Sequence, residues 1–138
     1  MIRVPRKAAV LGGADGLTLI IGLVCGLARD PHALVRAAIA GGLAEFTGMS
    51  AAVWLSDDAG GFWAALSCGT ATLAACVLPA VAYAFTSGAA ALITSLTVTA
   101  VIAAGIARLR PERGVLAAAQ TYGVLTVAAL LCFAASLI

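Results

Sequence analysis

Residues 62–107 read FWAALSCGTATLAACVLPAVAYAFTSGAAALITSLTVTAVIAAGIA, without one Asp, Glu, Lys or Arg. A helix crosses the hydrocarbon core of a bilayer with about 20 apolar residues, so this stretch is long enough to cross twice. Thr86-Ser87-Gly88 is its turn-like cluster and divides it into Phe62–Phe85 and Ala89–Ala107. Toward the N-terminus lie two more apolar runs, Ala8–Ala28 and Leu34–Leu55, joined by Arg29-Asp30-Pro31-His32. Toward the C-terminus, Arg108-Leu109-Arg110-Pro111-Glu112-Arg113-Gly114 precedes a final run from Val115. These runs are too long for barrel strands and do not alternate polar with apolar. The expected fold class is therefore all-α. It is a polytopic membrane protein, one transmembrane domain over residues 1–138, with five transmembrane helices at about 8–28, 34–55, 62–85, 89–107 and 115–137.

Composition excludes the other classes. Of 138 residues, 63% are hydrophobic and 10% charged, where a soluble domain is about half apolar and a quarter charged. Such a chain cannot cover a water-facing surface. It is too hydrophobic for disorder, and its cysteines are scattered through apolar runs rather than set as a disulfide framework. A net charge of +2 gives no footprint for nucleic acid. The basic start followed by an apolar run is read as a retained span rather than a signal peptide, because no small-residue cleavage pattern follows.

Basic residues set the expected orientation. With five spans, the N-terminus shares its side with the second and fourth loops. That side holds Arg3, Arg6, Lys7, Arg108, Arg110 and Arg113, and the other holds Arg29 and Arg36. The N-terminus is expected in the cytoplasm and the C-terminus outside. Trp54 and Trp63 bracket the loop between spans 2 and 3 as interfacial anchors. The alanine-rich composition and short loops point to a bacterial inner (plasma) membrane.

Four acids, Asp30, Asp57, Asp58 and Glu112, fall in loops, and two, Asp15 and Glu45, fall inside spans. An intramembrane carboxylate is costly and is a functional candidate by default. Asp15 is eight residues beyond Lys7, roughly 12 Å along a helix. Glu45 is ten residues before Leu55, roughly 15 Å from the same face. The two spans run antiparallel, so both acids reach nearly one level and can share a site. Paired carboxylates suit a hard divalent cation. They also suit protons, which a bound cation expels, and that is the basis of a proton-coupled cation exchanger. The structural alternative is that Asp15 starts or bends a helix and Glu45 bonds a nearby Ser or Thr.

Met49 lies one turn after Glu45 and on its helix face. Its soft thioether favours iron(II), and plain packing or lipid contact is the alternative. Gly22 and Gly26 form a GxxxG that permits close helix contact, of the kind used in dimer interfaces. Gly12, Gly13 and Gly16 flank Asp15 and are expected to loosen the helix there, with Gly41, Gly42 and Gly48 acting likewise in span 2. Pro79 is expected to kink span 3. His32 reads as a solvated loop residue. Cys25, Cys68, Cys76 and Cys132 form no CxxC pair and read as small apolar residues. Asp57-Asp58 suits either a hairpin turn or a cation-attracting mouth. No nucleotide loop, nucleophile motif or catalytic triad pattern is present, so no enzyme activity is expected.

Ala14-Asp15-Gly16-Leu17-Thr18, followed by Gly22 and Gly26, resembles the first span of the vacuolar iron transporters, also described as iron/manganese transporters. Ala40-Gly41-Gly42-Leu43-Ala44-Glu45 resembles the start of that family's second-span motif. Gly48-Met49-Ser50 resembles its Ser-Met step, and Cys76-Val77-Leu78-Pro79 its third-span isoleucine-proline segment. Trp54 falls where the family has a tyrosine. The likeness covers nearly the whole chain.

The resemblance implies a homodimer of five-helix protomers, associated through span 1, with an ion path between protomers lined by the first two spans. Iron(II) or manganese(II) would leave the cytosol in exchange for protons, as transported cargo and with no resident cofactor. Asp15 and Glu45 would be the family's pathway carboxylates and Met49 its methionine. That methionine lies about two turns after the glutamate in the family and four residues after it here, so either a turn is deleted or Val53 holds the position. The long acidic insertion between spans 2 and 3 of better-known members is replaced by Ser56–Gly61.

The expected partners are therefore divalent metal ions, protons, the lipid bilayer and a second copy of the chain. Two further readings belong to other classes. One is a small proton-coupled exporter of organic cations, which expects an aromatic cage around the acid. The other is a non-transporting membrane assembly or interaction subunit whose acids pair with a partner's basic residues.

Overall fold

The computed structural model describes residues 6–56, 61–110 and 115–135. They form five α-helices and, among the described residues, no strand: α1 Arg6–Leu27, α2 Pro31–Leu55, α3 Gly61–Phe85, α4 Gly88–Leu109 and α5 Val115–Ala135. Each is long and apolar enough to cross a membrane. At 1.5 Å per residue the shortest spans roughly 30 Å, the thickness of the hydrocarbon core. Large apolar side chains stand exposed around the outside, among them Leu43, Val101, Val124 and Leu131. Such exposure suits lipid as solvent.

α1, α2 and α4 reach past the sequence expectation, α1 by beginning at Arg6 rather than Ala8. α2 begins at Pro31, because Asp30 caps it: the Ala33 N–H donates to Asp30 Oδ1 at 3.0 Å, and Pro31 takes the first turn. Proline suits that position because its missing N–H has no helical partner there. His32 accordingly lies in α2, exposed, and not in a loop. α4 runs to Leu109, so Arg108 belongs to its last turn. Asp30→Ala should remove one capped donor and lower stability by about 1 kcal/mol. Reversible unfolding in mixed detergent checks this value.

Neighbouring contacts give the helix directions. Gly12 and Gly16 of α1 meet Cys68 and Thr72 of α3, so α1 and α3 are parallel. Gly42 of α2 meets Leu73 and Val77, whereas Ser50 Oγ donates to Ala65 O at 3.1 Å, so α2 runs against α3. Gly13 packs on Ile106, and Tyr122 Oη donates to Ala100 O at 2.9 Å, which completes an up-and-down bundle. α2, α3, α4 and α5 form an arc in chain order, and α1 touches all four. Among the described residues α2 and α5 do not meet, so the arc is open between them.

The glycines of α1 do not act as expected. α1 is unbroken through Gly12, Gly13 and Gly16. A side chain at Gly12 would collide with the Cys68 carbonyl, and one at Gly16 with the Thr72 carbonyl. These glycines therefore seat α1 directly on the backbone of α3, a small-residue contact of the kind that membrane helices use. Gly22 and Gly26 make no such contact within the chain. A Cβ at Gly26 would meet no neighbouring helix within 4 Å, and one at Gly22 would lie 3.6 Å from Cys132 Sγ of α5. α3 is the best buried helix. It continues through Pro79, which is fully enclosed. Gly88, with φ +58°, turns the chain from α3 into α4.

Candidate functional site

α1 and α2 both pack chiefly on α3 and touch each other far less. Where they do meet, Leu19 of α1 lies over Gly41 of α2, where a side chain on Gly41 would crowd it. One turn away on each antiparallel helix stand Asp15 and Glu45, and the Glu45 carboxyl lies within hydrogen-bonding reach of the Asp15 carboxyl. Both residues are half-buried. Asp15 Oδ2 is itself buried and has no hydrogen-bond partner. The local sequence explains the approach. Gly41 has no side chain to hold Leu19 away, and Gly16 lets α1 sink onto α3 beside Asp15. Thr18 gives its hydroxyl to the Ala14 and Asp15 carbonyls, at 2.7 and 2.9 Å, so it does not satisfy the carboxylate.

Two carboxyls at this distance have two chemical options. They share a proton, since a hydrogen bond between them needs one, or they release it and face a cation together. The orphaned Oδ2 is an acceptor without a donor, which a cation or a water can complete. Among the described residues, no three of His, Cys, Asp and Glu converge closely enough to hold a metal ion. Within one chain the site is thus a pair of oxygen donors, short of the six or more that hard divalent cations take.

Met49 stands one turn below Glu45. It is half-buried and packs against a small cluster of Val53, Ala64, Ala65 and Cys68. Val53 lies in the same cluster and is buried, so both candidates for the methionine position face α3. Phe46 is also half-buried, and its ring and carbonyl oxygen border Gly69. Asp57, Asp58, Glu112, Arg3 and Arg113 lie outside the described residues. His32 is exposed on α2, far from the pair in sequence and at the opposite end of its helix.

Residue-by-residue reading missed the floor of this site. Cys68 and Cys76, both fully buried on α3, face Gly12 of α1 and Gly42 of α2, each three residues from one of the acids. Cys76 donates its thiol to Ala38 O at 3.5 Å, and the Thr72 hydroxyl between them bonds Cys68 O at 3.0 Å. Depth arithmetic extended to α3 finds this layer. Thr72 is eleven residues from Gly61, roughly 16 Å in, the level of both acids. Comparison of the chain with family models, curated proteins and solved structures finds no match.

Proposed function

We propose that this chain is a divalent-cation transporter that carries iron(II) or manganese(II) out of the cytosol in exchange for protons. The observation that carries the reading is the pairing of Asp15 with Glu45, two carboxyls brought together midway along two apolar helices with one oxygen left unpartnered. Carboxylates at such a depth are expensive and mark ion pathways. Their two states, proton-sharing and cation-facing, are the two loads of an antiporter. In this reading the end that carries Arg6 faces the cytoplasm, following the basic residues.

The same reading makes the protein a homodimer. Between its ends, α1 exposes Leu11 and Gly26. Those residues fall on one stripe with Asp15, Thr18 and Gly22, spaced three and four apart. The stripe carries Gly26, which the protomer leaves uncovered, and Gly22, which meets only Cys132 of α5, on the helix that faces the opening of the arc. A second copy docked there would add its own carboxyls to an incomplete ligand set.

Bulky organic cations fit less well. A cavity of about 510 Å³ between α1, α4 and α5 and another of about 410 Å³ beside Trp54 are each lined without an acid.

Reconstitution tests the proposal. Proteoliposomes containing a pH dye should take up manganese(II) or iron(II) with opposing proton movement. An absence of flux from folded, dimeric protein would overturn it. Met49→Leu keeps volume and removes sulfur, so stability should change by less than about 1.5 kcal/mol. The ratio of iron(II) to manganese(II) uptake should fall if sulfur softens the path.

A further inference from the structure

The geometry points to an anionic-lipid headgroup site on the end of the bundle that carries Arg6. Two helices bring cations there, and a third orients one of them. α1 opens with Arg6 and Lys7, both exposed. α4 closes with exposed Arg108 and is capped by Arg110. Gly13 lies on Ile106, so the start of α1 and the end of α4 share one end of the bundle. Arg110 is oriented from α5, donating Nη2–H to Gln120 Oε1 at 2.6 Å. By sequence this side carries six basic residues, Arg3, Arg6, Lys7, Arg108, Arg110 and Arg113, against three loop acids, Asp57, Asp58 and Glu112, which lie outside the described residues. The described acids are Asp15, roughly 12 Å deeper than Lys7, its partner Glu45, and Asp30 at the opposite end.

The partner is a lipid rather than a soluble phosphate, because the rim continues into apolar surface. Leu109 on α4, and Val115 and Leu116 on α5, are all exposed beside the cations. A headgroup phosphate meets arginine and lysine while its chains lie along these side chains. Arginine suits phosphate through its planar fork of donors. Each basic residue beside an anionic membrane surface strengthens binding roughly fivefold. The site goes beyond transport, and its test does not depend on flux.

The experiment uses the full chain in a mild neutral detergent. Phosphatidylglycerol, phosphatidylcholine and soluble glycerol phosphate are titrated separately. Bound lipid is counted by native mass spectrometry, and the unfolding temperature is followed in parallel. Phosphatidylglycerol should bind and raise the unfolding temperature, and the other two should not. Arg6→Gln with Lys7→Gln and Arg108→Gln should weaken phosphatidylglycerol binding more than tenfold. Arg29→Gln with Arg36→Gln, at the other end, should not change it. Arg108→Lys in the weakened variant should recover part of the loss, separating charge from misfolding. Equal binding of phosphatidylcholine, equal protection by glycerol phosphate, or unchanged binding in the Arg6–Lys7–Arg108 variant would each overturn the proposal.

Discussion

Asp15→Asn and Glu45→Gln, made together, are expected to lower metal flux to that of protein-free liposomes, with the proton counter-movement lost in parallel. Both replacements keep size and hydrogen-bonding capacity and remove charge. What disappears is the ability to bind a proton in one state and a divalent cation in the other. Stability should move the other way. Two like carboxyls in a membrane carry a desolvation and repulsion cost, so the neutral pair should unfold at the same temperature or higher. Lost flux with retained stability is the signature of a site kept for function at some structural expense. Unchanged flux would sink the role assigned to both residues. Lost flux together with a lower unfolding temperature would instead make them structural.

The second large effect falls on Gly12 and Gly16. Leucine at either position has no place to go, because the nearest atoms are backbone carbonyls of α3 rather than the flexible end of a side chain. Overpacking costs typically 1–3 kcal/mol where side chains can yield. Here a helix must move, so each variant should exceed about 3 kcal/mol, and the pair should fail to give a monodisperse peak in size-exclusion chromatography. Gly105→Ala is the control. Its added methyl meets nothing within 4 Å, so the elution profile should not change. Normal behaviour of the Gly12→Leu, Gly16→Leu double variant would mean that α1 and α3 do not make this contact in the membrane.

Much of this arrangement is legible in the residues. Run length gives five helices, and depth counted along Lys7–Asp15 and Glu45–Leu55 puts the acids at one level. The Leu19–Gly41 contact is that register continued by a turn. Other features escaped for physical reasons. All five helices are apolar on every side, so no hydrophobic stripe tells which face meets protein and which meets lipid. Glycines therefore mark a close approach without naming the partner. Gly12 and Gly16 served α3, while the more conspicuous Gly22 and Gly26 were left open. Asp30-Pro31 is equally a turn signal and a helix start, and only the bond from the Ala33 N–H to Asp30 decides for the helix. Cys68 and Cys76 carried no motif, and only their depth relates them to the acids.

The central position of α3 also bears on biogenesis. The ribosome delivers α1 and α2 first, and both find most of their packing on a helix not yet made. Until Phe85 has left the translocon, the glycine faces of α1 and α2 have no protein to meet, and two carboxyls must tolerate lipid or the translocon wall. A proton shared between them would need only α1 and α2. It is therefore available as a provisional clasp for the nascent hairpin, holding the first pair in register until the third helix arrives to take the load.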